Sequence, residues 1–280
     1  MRMSDAYLPL IEEMLARSVS DEAIPKPLRE SMAYSLVSGG KRLRPRICLA
    51  CCALADGSIE SALPLACGVE MIHAYSLIHD DLPCMDDDDF RRGKPANHIV
   101  YGEAGAVLAG DALLTHAFEW MLAHAPDKPE ALGNYVRAVR AIAEGAGARG
   151  MVAGQSLELS GALEAGKILL EEVHSKKTGA LLRAAALAGG YAAGADDRTL
   201  RALDAFAAQY GALFQIADDI ADAAAEKGSD KNCVSVYGLE RARSLAQQAA
   251  YEAREALRPC AQHAQYLMDL IEGTLRAAIA

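Results

Sequence analysis

The chain has 280 residues, of which 52% are hydrophobic and 24% are charged, so it is long and apolar enough to bury a sizeable core. Its 38 acidic and 28 basic side chains give a formal net charge of -10, which argues against a broad basic surface for nucleic acid or anionic lipid. This composition excludes intrinsic disorder and a fibrous repeat, and an anionic substrate would need a local basic pocket.

Helix-breaking residues divide the chain into a series of helical segments. Alanine is abundant, β-branched residues are sparse, and no alternating strand pattern is closed by a two-residue hairpin turn. The segments are apolar around much of their circumference, which is typical of helices buried among other helices. We therefore predict an all-α fold, a single-domain helical bundle over residues 1-280. The predicted breaks lie at 25–27, 39–45, 56–57, 83, 93–95, 126–129, 161, 189–190, 228 and 259.

The N-terminal segment and the cysteines bear on location. Acidic residues occupy positions 5, 12 and 13, where a secretory signal would be apolar, and no uncharged apolar run reaches the roughly 18 residues of a membrane span. The seven cysteines are odd in number and lie mostly in apolar helical segments, as reduced core thiols do. We expect a cytoplasmic protein with no stable membrane insertion and no nucleic-acid partner.

The strongest chemical signal is the segment HDDLPCMDDDDFRRGKP at 79–95, which places six aspartates within residues 80–89. The preceding helix should end by Pro83, so the first acids lie at the negative end of its dipole and repel one another unless a cation binds. Such oxygen ligands suit Mg²⁺, which commonly bridges carboxylates to a substrate phosphate, and Arg91 and Arg92 can bind that phosphate bidentately. A solvated acidic loop is the alternative for this segment.

A second acidic cluster, in FQIADDIAD at 214–222, follows an apolar helical run. Asp218 and Asp222 are four residues apart. On a continuous helix they share one face, where two carboxylates repel each other unless a cation lies between them. Alone, the pattern also fits an exposed helix face. Together, the two clusters predict a polynuclear metal site inside the bundle.

Basic residues at the start of a predicted helix supply the opposite charge. In GGKRLRP at 39–45, backbone N–H groups and the helix dipole add to the charges of Lys41 and Arg44, which indicates a diphosphate site. His73 lies two turns before the first aspartate cluster on the same helix face, pointing toward the site. A core histidine with satisfied hydrogen bonds is the alternative for His73.

Four segments together resemble the trans-polyprenyl diphosphate synthase family, and the chain looks like its bacterial farnesyl diphosphate synthase branch. The resemblance spans residues 30–240 and implies a helical bundle of isoprenoid synthase type around a deep central cavity, usually in a homodimer. The implied activity is the head-to-tail condensation of isopentenyl diphosphate with an allylic diphosphate, dimethylallyl or geranyl. The four segments, in chain order, are GGKRLRP, HAYSLIHDDLPCMDDDDFRRGKP, KKTG at 176–179 and FQIADDIAD.

The resemblance also implies roles for individual residues. Three Mg²⁺ ions are expected against the allylic diphosphate, and the aspartates of the two motifs that we assign to them are Asp80, Asp81, Asp86, Asp218, Asp219 and Asp222. The residues that match the allylic site are Arg91, Lys177, Thr178, Gln215 and Lys231. The residues that match the isopentenyl diphosphate pocket are Lys41, Arg44, His73 and Arg92, with Gly40 beside them.

Product length should depend on the residues one turn below Asp80 on the same helix. Tyr75 and Ser76 lie five and four residues before it, and an aromatic ring there can stop a growing chain. Tyr75 and the two extra residues Pro83-Cys84 resemble the bacterial farnesyl type, so we expect a fifteen-carbon product. The same motif also resembles geranylgeranyl synthases of plastid type, which is the alternative, and a geranyl product is a further one.

The chain departs from the family pattern in two places. The segment after Asp222 is short, so either Lys227 or Lys231 could cap the diphosphate. The segment AGQSLE at 153–158 replaces a Gly-Gly-Gln-x-x-Asp pattern.

Three other functions are alternatives. A terpene cyclase would not need the isopentenyl pocket, and a non-catalytic partner subunit usually lacks one aspartate motif. A metal-storage bundle would carry Glu and Glu-x-x-His ligands instead.

Overall fold

The computed structural model describes residues 3–160, 167–224 and 232–279. Nearly all of these residues are helical, which confirms the predicted all-α class. The helices are α1 Met3–Ser18, α2 Lys26–Leu36, α3 Leu43–Leu54, α4 Ile59–Asp80, α5 Asn97–Ala123, α6 Pro129–Ala146, α7 Met151–Leu159, α8 Lys167–His174, α9 Ala180–Ala192, α10 Asp197–Ala224, α11 Cys233–Tyr237, α12 Leu239–Leu257 and α13 Gln265–Ile279.

Three short elements interrupt or connect these helices. A π-helical turn, Ser175–Gly179, joins α8 to α9, and a 3₁₀ turn, Arg258–His263, joins α12 to α13. Strands β1 (Phe90–Arg91) and β2 (Lys94–Pro95) form a small antiparallel hairpin after α4, so the segment with the paired arginines is a hairpin and not a loop without structure.

Helix α4 forms the centre of the bundle and packs against α3, α5 and α9. It is the one helix of the described residues that is long and apolar enough to cross a membrane, but 78% of its most apolar stretch is buried inside the protein. The apolar circumference of α4 therefore serves the core, as the sequence pattern predicted for segments of this kind. Its C-terminal end carries the first aspartate cluster to the surface of a cavity.

The predicted breaks at 25–27, 83 and 126–129 coincide with helix ends. The break predicted at 189–190 is displaced, because α9 runs through both glycines to Ala192. A Cβ atom on Gly189 would lie 2.0 Å from the carbonyl oxygen of Cys48 in α3. Glycine is therefore needed here for the close approach of two helix backbones rather than to end a helix.

Arg42 fixes the chain just before α3. Its backbone is left-handed, with a φ of 47°, and its guanidinium is buried. The guanidinium donates to Glu12 at 2.8 Å, to Glu70 at 2.9 Å and to the carbonyl oxygen of Leu36 at 2.8 Å. These bonds join α1, α2 and α4 to the start of α3, so the GGKRLRP segment is anchored from three sides.

Candidate active site

The first aspartate cluster lies where α4 ends. Asp80 is the last residue of α4, and the backbone N–H of Asp86 donates to its carbonyl oxygen at 2.8 Å. Burial raises the pKa of Asp80 to about 6; the charge of Lys177 opposes this shift and that of Asp86 adds to it. Burial also raises the pKa of Asp86, again against the charge of Lys177. Burial and the negative charge of nearby carboxylates thus disfavour the charged forms of Asp80 and Asp86, and the positive charge of Lys177 favours them.

Asp81 differs from its neighbours because its side chain is buried and paired. The guanidinium of Arg91 donates from Nε to Asp81 at 2.8 Å, and its Nη2 donates to both Asp81 and Asp88. The β1 arginine is therefore held by two carboxylates of the cluster that precedes it. Asp88 had no role of its own in the sequence motif, because a three-residue spacing between an acid and an arginine predicts a pair on a helix and not in a hairpin.

The second aspartate cluster lies near the end of α10, and its members point in different directions. Burial raises the pKa of Asp218 to about 6, against the charge of Lys41 and with the added charge of Asp222. The side chain of Asp219 is buried and accepts hydrogen bonds from the Cys233 N–H at 2.8 Å and from Gln215 at 3.1 Å. Asp219 therefore ties α11 to α10.

A cavity of about 680 Å³ extends below the first cluster between α4, α7 and the π-helical turn. Thr178 lines it, and its hydroxyl donates to the side-chain oxygen of Gln215 at 2.9 Å, which joins two predicted site residues that are 37 positions apart. Tyr75 is buried in the wall and packs edge-to-face on His79, with ring centroids 5.8 Å apart. The predicted residues on this cavity are Arg44, His73, Tyr75, Ser76, Asp80, Lys177 and Thr178.

A second cavity, of about 500 Å³, lies against the loop before α3 and is lined by basic side chains. Gly40 has a φ of 134°, a backbone conformation that favours glycine, and a Cβ atom there would lie 2.8 Å from Nη1 of Arg92, whose guanidinium would have to shift. Burial, with the nearby arginines, lowers the pKa of His73 well below its ordinary value, so the imidazole is neutral. The predicted residues on this cavity are Gly40, Lys41, Arg44, His73 and Arg92.

Arg44 and His73 line both cavities, so the two spaces meet there. The Nε of Arg44 is buried and has no hydrogen-bond partner among the described residues. A buried donor without an acceptor is costly, and an anion bound in the basic cavity would satisfy it. This orphaned donor marks the junction as a site for an anionic ligand.

The carboxylates fit a magnesium site in their chemistry. Among the described residues, no group of three or more His, Cys, Asp or Glu side chains is clustered tightly enough to hold a metal ion. However, Asp80, Asp86, Asp218 and Asp222 accept no hydrogen bond from any described residue. Burial raises the pKa of Asp80 and of Asp218, and a bound cation would offset that by favouring the charged form of each carboxylate. These four oxygen donors suit Mg²⁺ in two pairs. Lys227 and Lys231 lie outside the described residues.

Two residues of α7, Gln155 and Glu158, lie beside the predicted site residues although the sequence motifs assigned them no role. Gln155 lines the larger cavity, and neither its buried amide oxygen nor its buried nitrogen has a partner among the described residues. Glu158 accepts a close hydrogen bond from the ammonium of Lys177. The sequence shows that AGQSLE departs from the family pattern, but only the fold places this segment on the cavity wall.

The chain belongs to the polyprenyl synthetase family, whose pattern matches residues 25–235. It is 47% identical to the farnesyl diphosphate synthase of Geobacillus stearothermophilus over 76% of this chain and 71% of that protein. It is 43% identical to the heterodimeric geranylgeranyl pyrophosphate synthase large subunit 1 of Arabidopsis thaliana, over 87% of this chain and 71% of that one. The fold is that of an FPP/GFPP synthase from Zymomonas mobilis, with a TM-score of 0.88 and 36% identity over 98% and 97% of the two chains.

These comparisons confirm the predicted family and the isoprenoid synthase fold. The chain is a prenyltransferase of that family. The relatives include enzymes named for a farnesyl product and enzymes named for a geranylgeranyl product.

Proposed function

We propose that this prenyltransferase condenses isopentenyl diphosphate with dimethylallyl diphosphate and then with geranyl diphosphate, and releases farnesyl diphosphate. The observation that carries this proposal is the meeting of two unlike cavities at Arg44 and His73. One cavity has the Asp80 carboxylate beside an apolar space, and the other is lined by several basic side chains. The proposed reaction joins two diphosphates. The allylic one needs a metal and an apolar space for its hydrocarbon tail, and the other needs a basic pocket for its diphosphate, so the reaction requires both cavities.

The allylic diphosphate binds at the mouth of the larger cavity. Asp80, Asp86, Asp218 and Asp222 would hold Mg²⁺, with Asp81 and Asp219 supporting them from the paired positions described above. When bound, Mg²⁺ supplies Lewis-acid stabilisation of the negative charge on a leaving diphosphate. Lys177 and Arg91 add positive charge beside it, and the lysine following the second motif, Lys231, is proposed to cap it.

Isopentenyl diphosphate binds in the basic cavity, with its diphosphate against Lys41, Arg44 and Arg92. The free Nε–H of Arg44 supplies one hydrogen bond. Because His73 is neutral, it can donate one hydrogen bond to a phosphate oxygen without adding to the repulsion among the arginines. The alkene of this substrate then extends towards the junction with the allylic site.

The allylic C–O bond ionises, the alkene electrons attack the allylic carbon, and a proton is lost to restore the double bond. The Thr178 hydroxyl, which lines the cavity and is held by its hydrogen bond to Gln215, offers an oxygen lone pair to the developing positive charge. His73, the neutral imidazole at the junction, is assigned to the diphosphate of isopentenyl diphosphate, so the departed diphosphate takes the proton. Apolar wall residues such as Met85 and Met151 keep water from quenching the cation.

Tyr75 and Ser76 limit the chain to fifteen carbons in this proposal. Both line the cavity one turn below Asp80, and the Tyr75 ring is held there by its packing on His79. A growing chain that points away from Asp80 meets this ring.

The test is incubation of the protein with isopentenyl and dimethylallyl diphosphates and Mg²⁺, followed by sizing of the dephosphorylated alcohols. We expect farnesol from the parent and longer alcohols from Tyr75→Ala. The control is Tyr251→Ala, because Tyr251 is an exposed tyrosine on α12 that should leave the product unchanged. Farnesol from both variants would refute the role of Tyr75.

Geranylgeranyl diphosphate is the second candidate product, and the observation that favours it is the identity to the Arabidopsis thaliana relative. Geranylgeraniol from the parent in the same incubation would establish it and would contradict the fifteen-carbon limit. An absence of any condensation would favour a cyclase or a non-catalytic partner subunit.

We also propose a cytoplasmic homodimer. The described cysteines are free thiols, as expected in a reducing compartment. Exposed apolar side chains concentrate on two successive helices, and a surface of this kind is typical of a protein interface. The exposed large apolar residues of α5 and α6 are Ile99, Val100, Val107, Leu108, Leu122, Leu132 and Val136.

A further inference from the structure

The ammonium of Lys177 is held by a carboxylate outside both aspartate clusters. Its Nζ donates to Oε2 of Glu158, and both side chains are only partly exposed. Lys177 itself lies within the π-helical turn Ser175–Gly179, a backbone form that is often found at functional sites. Glu158 is the acidic group with which this lysine pairs in the described structure.

Helix α7 also fixes the backbone of the same lysine. A Cβ atom on Gly154 would lie 2.2 Å from the Lys177 backbone nitrogen and 2.5 Å from its Cα, so only glycine lets the two backbones approach this closely. Gly154 and Glu158 are four residues apart on α7 and therefore share one helix face. One face of α7 thus holds both the main chain and the charged end of Lys177.

The Lys177–Glu158 pair faces the first aspartate cluster. Asp80 and Lys177 line the same cavity, and the backbone N–H of Asp86 donates to the carbonyl oxygen of Asp80 at 2.8 Å. The ammonium that Glu158 holds is therefore on the cavity that the first aspartate cluster borders. Neither aspartate side chain accepts a hydrogen bond from the described residues. Both are therefore free to accept one from the Lys177 ammonium if Glu158 does not hold it.

We propose that Glu158 is a positioning residue for the prenyl transfer: it holds the Lys177 ammonium beside the first aspartate cluster, so that Asp80 and Asp86 stay open to a cation while the lysine stays ready to contact the allylic diphosphate. This inference rests on the proposed assignment of these residues to the allylic site. Without Glu158, the flexible lysine would pair with Asp80 or Asp86. That pairing would occupy oxygens that the metal needs and would cancel the positive charge that the diphosphate needs.

Removal of the Glu158 charge has two effects on anion binding, and they are opposite in sign. Loss of one negative charge, by itself, makes the site more positive and should strengthen the binding of an anion. Positioning predicts weaker binding and simple charge removal predicts tighter binding. The sign of the change therefore distinguishes the two.

The experiment measures the binding of inorganic diphosphate with Mg²⁺ by calorimetry to the full chain and to Glu158→Gln, Lys177→Gln and the double variant. We expect Glu158→Gln to bind roughly three- to tenfold more weakly than the parent, and Lys177→Gln to bind at least as weakly. The double variant should bind no more weakly than Lys177→Gln alone, because Glu158 acts only through the lysine. Glu158→Asp, which keeps the charge, should recover part of the loss.

The matched control is Glu144→Gln, since Glu144 pairs with the exposed Arg140 at 2.9 Å on α6, outside the cavity lining. It should bind diphosphate like the parent. In steady-state kinetics, Glu158→Gln should raise the KM for the allylic diphosphate and leave that for isopentenyl diphosphate unchanged, with an unchanged melting temperature. A general loss of structure would raise both KM values and lower the melting temperature.

Unchanged or tighter binding by Glu158→Gln, or an additive loss in the double variant, would overturn the inference and leave the proposed function intact. Parent-like binding by Lys177→Gln, or no diphosphate binding by the parent, would overturn the assignment of Lys177 and this inference with it. The two failures are therefore separable.

Discussion

At the residue scale, burial of the Asp80 carboxyl group affects how stability depends on pH. The pKa of its carboxyl rises from 3.8 to about 6 in the folded chain, chiefly through burial. Between these two pH values the folded state binds more protons than the unfolded state. Stability therefore falls as the pH rises through this window, and the loss persists at higher pH. A bound cation would remove this cost, which couples folding to metal binding.

We predict that Asp80→Asn stabilises the metal-free protein at pH 8 by on the order of 1 kcal/mol, because the asparagine has no charge to desolvate. The gain should shrink as the pH is lowered towards 4, where the aspartate of the parent is protonated in the folded state. Urea unfolding at several pH values measures it. The control is Asp111→Asn on the exposed part of α5, and an equal gain at pH 4 and pH 8 would contradict the explanation.

At the scale of elements, backbone contacts at glycines set how closely the helices around the site approach. Gly189 in α9 meets the carbonyl oxygen of Cys48 in α3, and Gly154 in α7 meets the backbone of Lys177. The first contact anchors α3, whose start bears the basic cavity, and the second anchors the π-helical turn of the allylic cavity. Helix spacing and site geometry are thus determined at the same positions.

Gly189→Ala should destabilise the fold by about 1–3 kcal/mol, because the new methyl group would lie 2.0 Å from the Cys48 oxygen and would force α9 away from α3. A thermal melt of the metal-free protein measures this loss. Gly133→Ala provides the opposite expectation: no atom lies within 4 Å of its new methyl group, and alanine favours the α6 helix. A stabilised Gly189→Ala variant would show that α9 and α3 can separate freely.

At the scale of the whole molecule, apolar side chains remain exposed on α5 and α6 although the core is filled. Leu108 is 60% exposed in the middle of α5, and Val107 beside it is 40% exposed. A second copy packed on this face of α5 would cover that apolar surface.

We expect Leu108→Asp to convert the proposed dimer into a monomer, because the interface would bury the new carboxylate without a partner of opposite charge. Light scattering after size exclusion should give a mass near the 29.7 kDa of one chain for the variant and about twice that for the parent. Tyr251→Asp on α12 is the control, because Tyr251 is equally exposed, at 60%, outside this face. A parent protein that elutes as a monomer would refute the dimer proposal.

The sequence alone determined the fold class, the family and the two charged motifs. Helix periodicity and breakers act over a few residues, so the end of α4 before Pro83 and the shared face of Asp218 and Asp222 could be predicted locally. The family resemblance added the residues of the KKTG segment, and the fold then joined Thr178 to Gln215 by a hydrogen bond.

Only the tertiary structure decided which side chains face the cavities and which are used to hold the site together. Asp81 and Asp219 look like their neighbours in the sequence, but one is paired with Arg91 and the other holds the N–H of Cys233. Glu158 and Lys177 are 19 residues apart, and they pair only because α7 packs against the π-helical turn. Which helix faces meet depends on packing summed over distant segments, and no local pattern contains that information.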